Sequence, residues 1–115
     1  MKSPLNQLDL YLYNNYTIST DGIKFQWDEN KNSINRRKHH ISFEEAQTVF
    51  ADVDALIIDD PDHSEQEERF IIMGFSLRAN LLVVCHCYRY NDSIIRIISA
   101  RKATSKEARQ YHDKI

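Results

Sequence analysis

Three apolar runs between residues 68 and 100 constrain the fold of this chain more than any other feature. The runs are Glu68–Phe75, Leu81–Tyr88 and Ile94–Ala100, and each has the length and the aliphatic content of a β-strand. The segments that join them, SLRAN and RYND, are too short to hold a crossover helix. Strands joined by such short turns run antiparallel, so the sequence predicts a β-meander.

Two more strands and three helices are predicted around this meander. The strands are Ala55–Asp59 and Ile23–Trp27, and the helices begin at the N-capping residues Asp28, Ser42 and Thr104. The order of elements is therefore β-α-α-β-β-β-β-α. This order predicts an α+β fold in which helices pack on one face of an antiparallel sheet of four to five strands.

The length of 115 residues predicts a single domain. We assign residues 23–115 to this domain and residues 1–22 to an N-terminal appendage, in which Leu5, Leu8 and Leu12 have the spacing of a short amphipathic turn. No apolar run approaches the ~20 residues of a membrane span, and the N-terminus lacks the features of a secretory signal. We therefore expect a cytoplasmic protein without membrane association.

The two cysteines, Cys85 and Cys87, lie two residues apart in a predicted strand, so their side chains share one face. A disulfide at this spacing would be strained, and we expect buried, free thiols. His86 lies between them and points to the opposite face, so the three side chains cannot converge on one ion. Because the sequence has no second ligand pair, we predict neither a metal site nor a cofactor.

Charge is segregated along the chain although the formal net charge is only −2. Ten acidic residues and no Lys or Arg lie between Glu44 and Glu68, whereas nine basic and three acidic residues lie between Arg69 and Ile115. Such segregation can produce a basic face that attracts a polyanion, or a solvated surface whose two halves neutralise each other. The basic sequence RRKHH at the end of the first predicted helix also allows two interpretations, a binding patch or a complement to the helix dipole.

Each strand of the predicted meander carries one cationic or titratable residue within an apolar row. These residues are Arg69, His86 and Arg96. Because alternate residues of a strand share a face, we expect the three side chains to form a cluster on one exposed face of the sheet. Arg78 and Arg101 would flank this cluster.

A cluster of this composition suits a phosphodiester. Arginine binds phosphate through paired N–H groups and stays protonated, whereas histidine transfers protons near neutral pH. His63 is a second candidate proton carrier, and Glu67 or Glu68 is an alternative base. The competing interpretation is structural, in which Arg69 and Arg96 form salt bridges with the acidic residues of segment 55–68.

The sequence resembles the BrnT family of bacterial toxins from about Lys24 to Tyr111. Three motifs carry the resemblance: W-D-x-x-K-N near the start, D-H-S-E-x-E-x-R in the middle and R-I-I-S-A-R-x-A near the end. The resemblance implies a fold like that of the RelE ribonuclease toxins and a metal-independent cleavage of RNA that arrests translation. It also implies a BrnA-type antitoxin with a ribbon-helix-helix part as partner, in a 2:2 complex that contacts operator DNA through the antitoxin.

The family motif, carried over position by position, falls on His63, Glu67, Arg69, Gly74, Ser76, Arg96, Ser99, Arg101 and Glu107. The chain departs from the family in two places. The turn between the middle strands reads Arg78-Ala79-Asn80 where the family tends to have an Arg-Gly-Arg-like turn, so one basic group is missing. Residues 1–22 precede the family's usual start.

These inferences together predict an endoribonuclease toxin that needs no metal and no cofactor. The expected catalytic residues are Arg69, His86, Arg96, Glu67 and His63, and the expected RNA-binding residues are Arg78, Arg101 and Lys102. The alternative is a non-catalytic binding module. Its basic face would receive an acidic segment of the antitoxin and so complete an operator-binding repressor.

Overall fold

The computed structural model describes residues 15–20, 23–59 and 68–114, which form six strands, three α-helices and one 3₁₀-helix. The strands are β1 (Asn15–Thr20), β2 (Ile23–Asp28), β3 (Leu56–Asp59), β4 (Phe70–Phe75), β5 (Leu81–Arg89) and β6 (Ile94–Lys102). The helices are α1 (Glu29–His39), α2 (Phe43–Ala46), the 3₁₀-helix Gln47–Ala51 that continues α2, and α3 (Ser105–Asp113).

The strands form one mixed sheet in the order β1-β2-β6-β5-β4-β3. The predicted meander is confirmed, because β4, β5 and β6 are antiparallel neighbours. The prediction of a purely antiparallel sheet of four to five strands is wrong, because the described residues form six strands and β2 runs parallel to β6. The long chain between β2 and β6 allows either direction, so turn length could not determine this pairing.

Helices cover both faces of the sheet. We call the face with Ile72 and Val84 the helix-pair face, because α2 and the 3₁₀-helix that continues it pack against it. We call the opposite face, with Met73 and Val83, the α3 face, because Tyr111 of α3 packs on these two residues. The prediction of helices on one face is wrong, because successive strand residues such as Ile72 and Met73 are both buried and each face needs its own cover.

A β-bulge in β6 sets which of its side chains share a face. Cys85 of β5 pairs with Ser99, but the next residue, His86, pairs with Ile97. Ile98 is therefore an extra residue in β6, and the alternation of faces along this strand reverses there.

Arg96 and Arg101 consequently lie on the same face, although regular alternation would place them on opposite faces. Arg101 pairs with Val83 and Arg96 pairs with Cys87, and both partners in β5 point to the α3 face. Ala100, which regular alternation would place on the same face as Arg96, is instead buried in the core of the helix-pair face.

The predicted N-caps are confirmed at all three α-helices of the described residues. Thr104 and Glu107 form a full capping box at α3, in which each side chain accepts a hydrogen bond from the backbone N–H of the other residue. At α2, the Ser42 hydroxyl accepts the expected bond from the Glu45 N–H. The Glu45 carboxylate, however, accepts its hydrogen bonds from the β4–β5 turn.

The outermost strand, β1, falls within the segment predicted as an appendage, and it pairs with β2 along its whole length. The predicted amphipathic turn of Leu5, Leu8 and Leu12 lies outside the described residues. The division into an appendage (1–22) and a domain (23–115) stays a prediction. No helix in the described part of the chain is long and apolar enough to cross a membrane.

Candidate functional site

A cavity of about 300 Å³ lies on the α3 face of the sheet. Arg69, one residue before β4, contributes to its lining from one side, and Arg101 of β6 contributes from the other. The other lining residues are His39, Ile71, Val83, Cys85, Ile98, Ser99 and Ala100. Two of the arginines singled out from the sequence therefore meet at one cavity.

The register of the sheet explains why these residues come together. Ile71, Cys85 and Ser99 are cross-strand partners and form one row of the cavity floor. Arg101 lies two residues after Ser99, beyond the bulge, and shares its face. Arg69 lies two residues before Ile71, so the pleat places it on the same face as well.

Arg96 projects from the α3 face beside this cavity. It pairs with Cys87, which lies two residues from the cavity-lining Cys85 on the same face of β5. Nη1 of Arg96 donates a hydrogen bond of 2.7 Å to Oε1 of Gln26, and Gln26 is itself only 2% exposed. The buried amide orients the guanidinium group without removing its charge.

Arg101 is held by a two-point ion pair with Glu107 of α3. Its Nη1 and Nη2 donate to the two carboxylate oxygens at 2.8 and 2.9 Å. The hydrogen bond from Arg101 is the main cause that lowers the pKa of Glu107 to about 2, and the same bond raises the pKa of Arg101. Arg101 therefore has a structural role in fixing α3 to β6 as well as a place at the cavity.

His86 does not join the arginines. It is fully buried on the helix-pair face, where its ring packs against Phe50 and Tyr88 at centroid distances of 4.9 and 5.5 Å. Burial lowers the pKa of its imidazole, because the cation would lose its hydration. The expectation that His86 shares an exposed face with Arg69 and Arg96 is wrong. The register places the side chain of His86 on the helix-pair face, whereas Arg69 and Arg96 lie on the α3 face.

A different histidine, His39, lies at the cavity. The pairing of β2 with β6 ends at Arg96, and further along β6 the side chain of Asn35 in α1 takes the position of a neighbouring strand. Asn35 donates to the carbonyl oxygen of Ala100 at 2.8 Å and accepts from the Ala100 N–H at 3.1 Å. His39 follows one helical turn later, is half-buried and lines the cavity.

In the sequence, His39 is only one member of the basic cluster RRKHH. The signal that could have singled it out is Asn35, a polar residue that is 94% buried although it lies in a helix with little apolar surface. A buried amide needs specific hydrogen-bond partners, and these determine how the helix sits on the sheet. The strand that supplies these partners lies far from Asn35 in the sequence. The sequence alone therefore could not place His39 at the cavity.

Arg78 and Lys102 do not line the cavity. Arg78 is exposed in the β4–β5 turn, at the end of β4 remote from the cavity. Lys102 is also exposed, and it pairs with Leu82, so it points to the helix-pair face. His63 and Glu67 lie outside the described residues. The RNA-binding and catalytic roles expected for these four residues stay predictions.

Both cysteines are free thiols. Cys87 is buried as predicted, but the prediction of burial is wrong for Cys85, which is partly exposed because it lines the cavity. Within the described residues, no three His, Cys, Asp or Glu side chains are grouped so that they could hold a metal ion.

Comparison with known proteins gives the family. Residues 27–107 match the family described as "Ribonuclease toxin, BrnT, of type II toxin-antitoxin system". A comparison with curated proteins gives no match. Among solved structures, the chain is similar to the Brucella abortus ribonuclease toxin BrnT, determined at 1.1 Å resolution, with 20% sequence identity. The alignment covers 69% of this chain and 94% of that chain, with a TM-score of 0.50.

The structural likeness at this identity shows the fold alone, an α+β fold with a mixed sheet. The family match is the stronger finding, because it spans more than half of the chain and contains Arg69, Arg96 and Arg101. The chain therefore belongs to the BrnT family of ribonuclease toxins of type II toxin–antitoxin systems.

Proposed function

We propose that this toxin is a cytoplasmic, RelE-like endoribonuclease that needs no metal ion, and that the cavity on the α3 face binds the scissile phosphate. The supporting observation is that Arg69 and Arg101 line one cavity, with Arg96 beside them on the same face. Guanidinium groups gathered on one face give the positive potential that attracts a sugar-phosphate chain.

The reaction needs no external nucleophile, because RNA supplies its own. The 2′-oxygen attacks the adjacent phosphorus and the bond to the 5′-oxygen breaks, which leaves a 2′,3′-cyclic phosphate and a 5′-hydroxyl. One proton leaves the 2′-hydroxyl for a base, and one proton reaches the departing 5′-oxygen. Negative charge builds up on the phosphoryl oxygens in the transition state, and guanidinium groups stabilise this charge.

Arg69 and Arg96 are the residues we assign to this stabilisation. Arg96 is oriented in advance by the buried Gln26, so little reorganisation is needed when charge develops. Arg101 contributes a further positive charge, although its ion pair with Glu107 already engages two of the five N–H donors that a guanidinium carries. We therefore expect Arg101 to bind the backbone and to shape the cavity.

A cleavage assay in EDTA tests this proposal. Purified wild-type protein should cut a labelled single-stranded RNA and leave 2′,3′-cyclic phosphate ends. Arg69→Ala and Arg96→Ala should each lower kcat by roughly 10²–10³-fold, the usual loss when one charge-stabilising donor is removed. Arg37→Ala removes an exposed arginine of α1 and serves as the matched control, with activity close to that of the wild type.

Two outcomes would contradict the proposal, provided that thermal unfolding shows each variant to be folded. Activity that disappears in EDTA and returns with added Mg²⁺ would exclude the metal-independent mechanism. A folded wild type that cuts no RNA would exclude the enzyme and favour the alternative of a non-catalytic module that completes a repressor. Growth arrest on expression without antitoxin then separates a toxin from such a module.

We further propose that a ribbon-helix-helix antitoxin of the BrnA type neutralises the toxin in a 2:2 complex, and that operator DNA is contacted through the antitoxin. The support is the family, whose members belong to type II toxin–antitoxin systems, together with the cationic cavity, which suits an acidic segment. The test is to mix the toxin with the protein encoded by the neighbouring reading frame. The complex should have the mass of two copies of each chain and should not cut RNA.

A further inference from the structure

We infer that His39 is the general base of the proposed cleavage, the group that accepts the proton of the attacking 2′-hydroxyl. The inference rests on the proposed function, because it concerns the same cavity and the same reaction. His39 takes the role of proton carrier that the sequence suggested for His86. His86 is fully buried on the helix-pair face and cannot contact a substrate on the α3 face.

The chemistry of the cavity leaves few proton acceptors. A guanidinium has no lone pair to offer, so Arg69 and Arg101 cannot act as bases. Ser99 and Cys85 carry a hydroxyl and a thiol, groups that as residue types hold their protons at neutral pH. His39 is the imidazole among the described residues that line the cavity, and imidazole is the side-chain type most often used as a general base.

The nearby carboxylate of Glu107 is unsuited to the task. Both of its oxygens are engaged by Arg101, and Oε1 also accepts the Thr104 N–H at 2.8 Å. Hydrogen bonding from Arg101 lowers its pKa to about 2, which makes it a weak base.

The backbone around His39 is fixed rather than loose, as a catalytic base requires. The buried side chain of Asn35, one turn earlier, makes three hydrogen bonds: two with the backbone of Ala100 and one to the carbonyl oxygen of Ile41. His40 ends the helix immediately afterwards with a left-handed φ of 61°, and its N–H bonds to the Arg36 carbonyl oxygen at 2.9 Å. The last turn of α1 is therefore anchored to β6 on one side and closed by its own cap on the other.

His39 and Arg69 lie on opposite sides of the cavity. His39 reaches the cavity from α1, which packs beside β6, whereas Arg69 reaches it from β4, with β5 between them. An RNA phosphodiester bound over the floor row of Ser99 and Cys85 would present its phosphoryl oxygens to Arg69. The 2′-hydroxyl of the adjacent ribose would then face His39. Proton removal and charge stabilisation then act on the same phosphodiester from opposite sides.

The test measures how the cleavage rate depends on pH in wild type, His39→Gln and His40→Asn. The wild type should lose kcat/KM at acidic pH along a single-proton limb, because a protonated base cannot accept a proton. His39→Gln should lower kcat by roughly 10²–10⁴-fold with little change in KM, and the acidic limb should disappear. His40→Asn, at the adjacent and exposed histidine, should keep both the rate and the limb. Added imidazole should restore part of the activity of His39→Ala.

Several results would overturn the inference. A wild-type profile without an acidic limb does so whether or not the variants fold. His39→Gln with an unchanged rate does so as well, and so does a His39→Gln that is slow but keeps the limb, because that pattern marks a structural role. A wild type that cuts no RNA removes the proposed function itself, whereas active wild type with equally active His39→Gln removes only the assignment of the base.

Discussion

The hydroxyl of Tyr111 donates a hydrogen bond of 2.6 Å to Oδ2 of Asp52, although the two residues belong to segments that pack on opposite faces of the sheet. The contact passes around the edge of β4, where the pairing with β3 has already ended at Met73. The same carboxylate oxygen accepts the Phe75 N–H at 2.8 Å. A Cβ on Gly74 would lie 2.9 Å from it, so glycine leaves the space for this carboxylate.

Tyr111→Phe should destabilise the protein by about 1–2 kcal/mol, because it leaves the Asp52 carboxylate without its hydroxyl donor. Burial, followed by the bond to Asp52, raises the pKa of Tyr111 to about 12, so the hydroxyl keeps its proton throughout the ordinary pH range. Urea unfolding at neutral pH measures the effect. Tyr90→Phe, at an exposed tyrosine, is the matched control and should change little. Equal losses in the two variants would refute the importance of this bond.

Glu107→Gln should destabilise the protein at neutral pH and have almost no effect near pH 2. The pKa of Glu107 is about 2 in the folded protein against an ordinary value of 4.5. Its stabilising contribution is therefore complete above the ordinary value and disappears as the pH falls towards the folded value. We expect a loss of about 1–2 kcal/mol at neutral pH, less than the full shift implies, because the Arg101 side chain is 41% exposed and solvent screens the pair.

Unfolding at neutral and at acidic pH checks this expectation. Asp113→Asn removes an exposed carboxylate from the same helix and should be neutral or slightly stabilising, because acids near a helix C-terminus are unfavourable. A loss in Glu107→Gln that persists undiminished at the acidic end would mean that packing, not charge, accounts for it.

His86→Phe should flatten the pH dependence of stability and leave RNA cleavage intact. The folded-state pKa of His86 is lowered by burial, so the unfolded chain binds a proton that the folded chain excludes. Wild-type stability should therefore fall as the pH drops below about 6.5, by at most about 1.4 kcal/mol per pH unit from this residue. In addition, Nε2 of His86 is buried without a hydrogen-bond partner in the described structure, so phenylalanine removes an unsatisfied polar atom.

Thermal unfolding between mildly acidic and neutral pH measures this slope. Loss of cleavage in a stable His86→Phe variant would reopen a catalytic role for the buried ring.

Ala79→Gly should stabilise the protein by roughly 0.5–1 kcal/mol. Ala79 has a φ of 63° in the β4–β5 turn, a left-handed conformation that costs a side chain about 1–2 kcal/mol, partly offset by the greater freedom of unfolded glycine. The turn is otherwise well bonded, since the Ser76 N–H donates to the Asn80 carbonyl oxygen at 2.9 Å. Ala108→Gly inside α3 is the control of opposite sign, with an expected loss of about 1 kcal/mol. If both variants lose stability, the strain at Ala79 is not significant.

The elements of this fold could be predicted from local sequence because their signals are local. The alternation and length of the apolar runs marked the meander, and the capping residues Asp28 and Thr104 marked helix starts within a few positions. The same local reasoning failed for the parallel pairing of β2 with β6 and for the second helical layer. Both depend on contacts between segments far apart in the chain.

The candidate site could be predicted only in part, for the same reason. The residue type of Arg69, Arg96 and Arg101 was informative, because charge within an apolar run needs an explanation. That Arg101 shares a face with Arg96 could not be derived, since it depends on the extra residue in β6. The position of His39 at the cavity could not be predicted, because it depends on hydrogen bonds between Asn35 and Ala100, 65 positions apart.

The extra residue Ile98 makes the length of β6, and not only its composition, a determinant of which side chains share a face. Deletion of this one residue would restore an unbroken pleat. Either Arg96 or Arg101 would then point to the helix-pair face, although every arginine is still present. A relative aligned letter by letter could thus keep all of its charged residues and still be unable to offer two of them to one ligand. Under the proposed function, we therefore expect an insertion or deletion in this strand to impair RNA cleavage even when every arginine is kept.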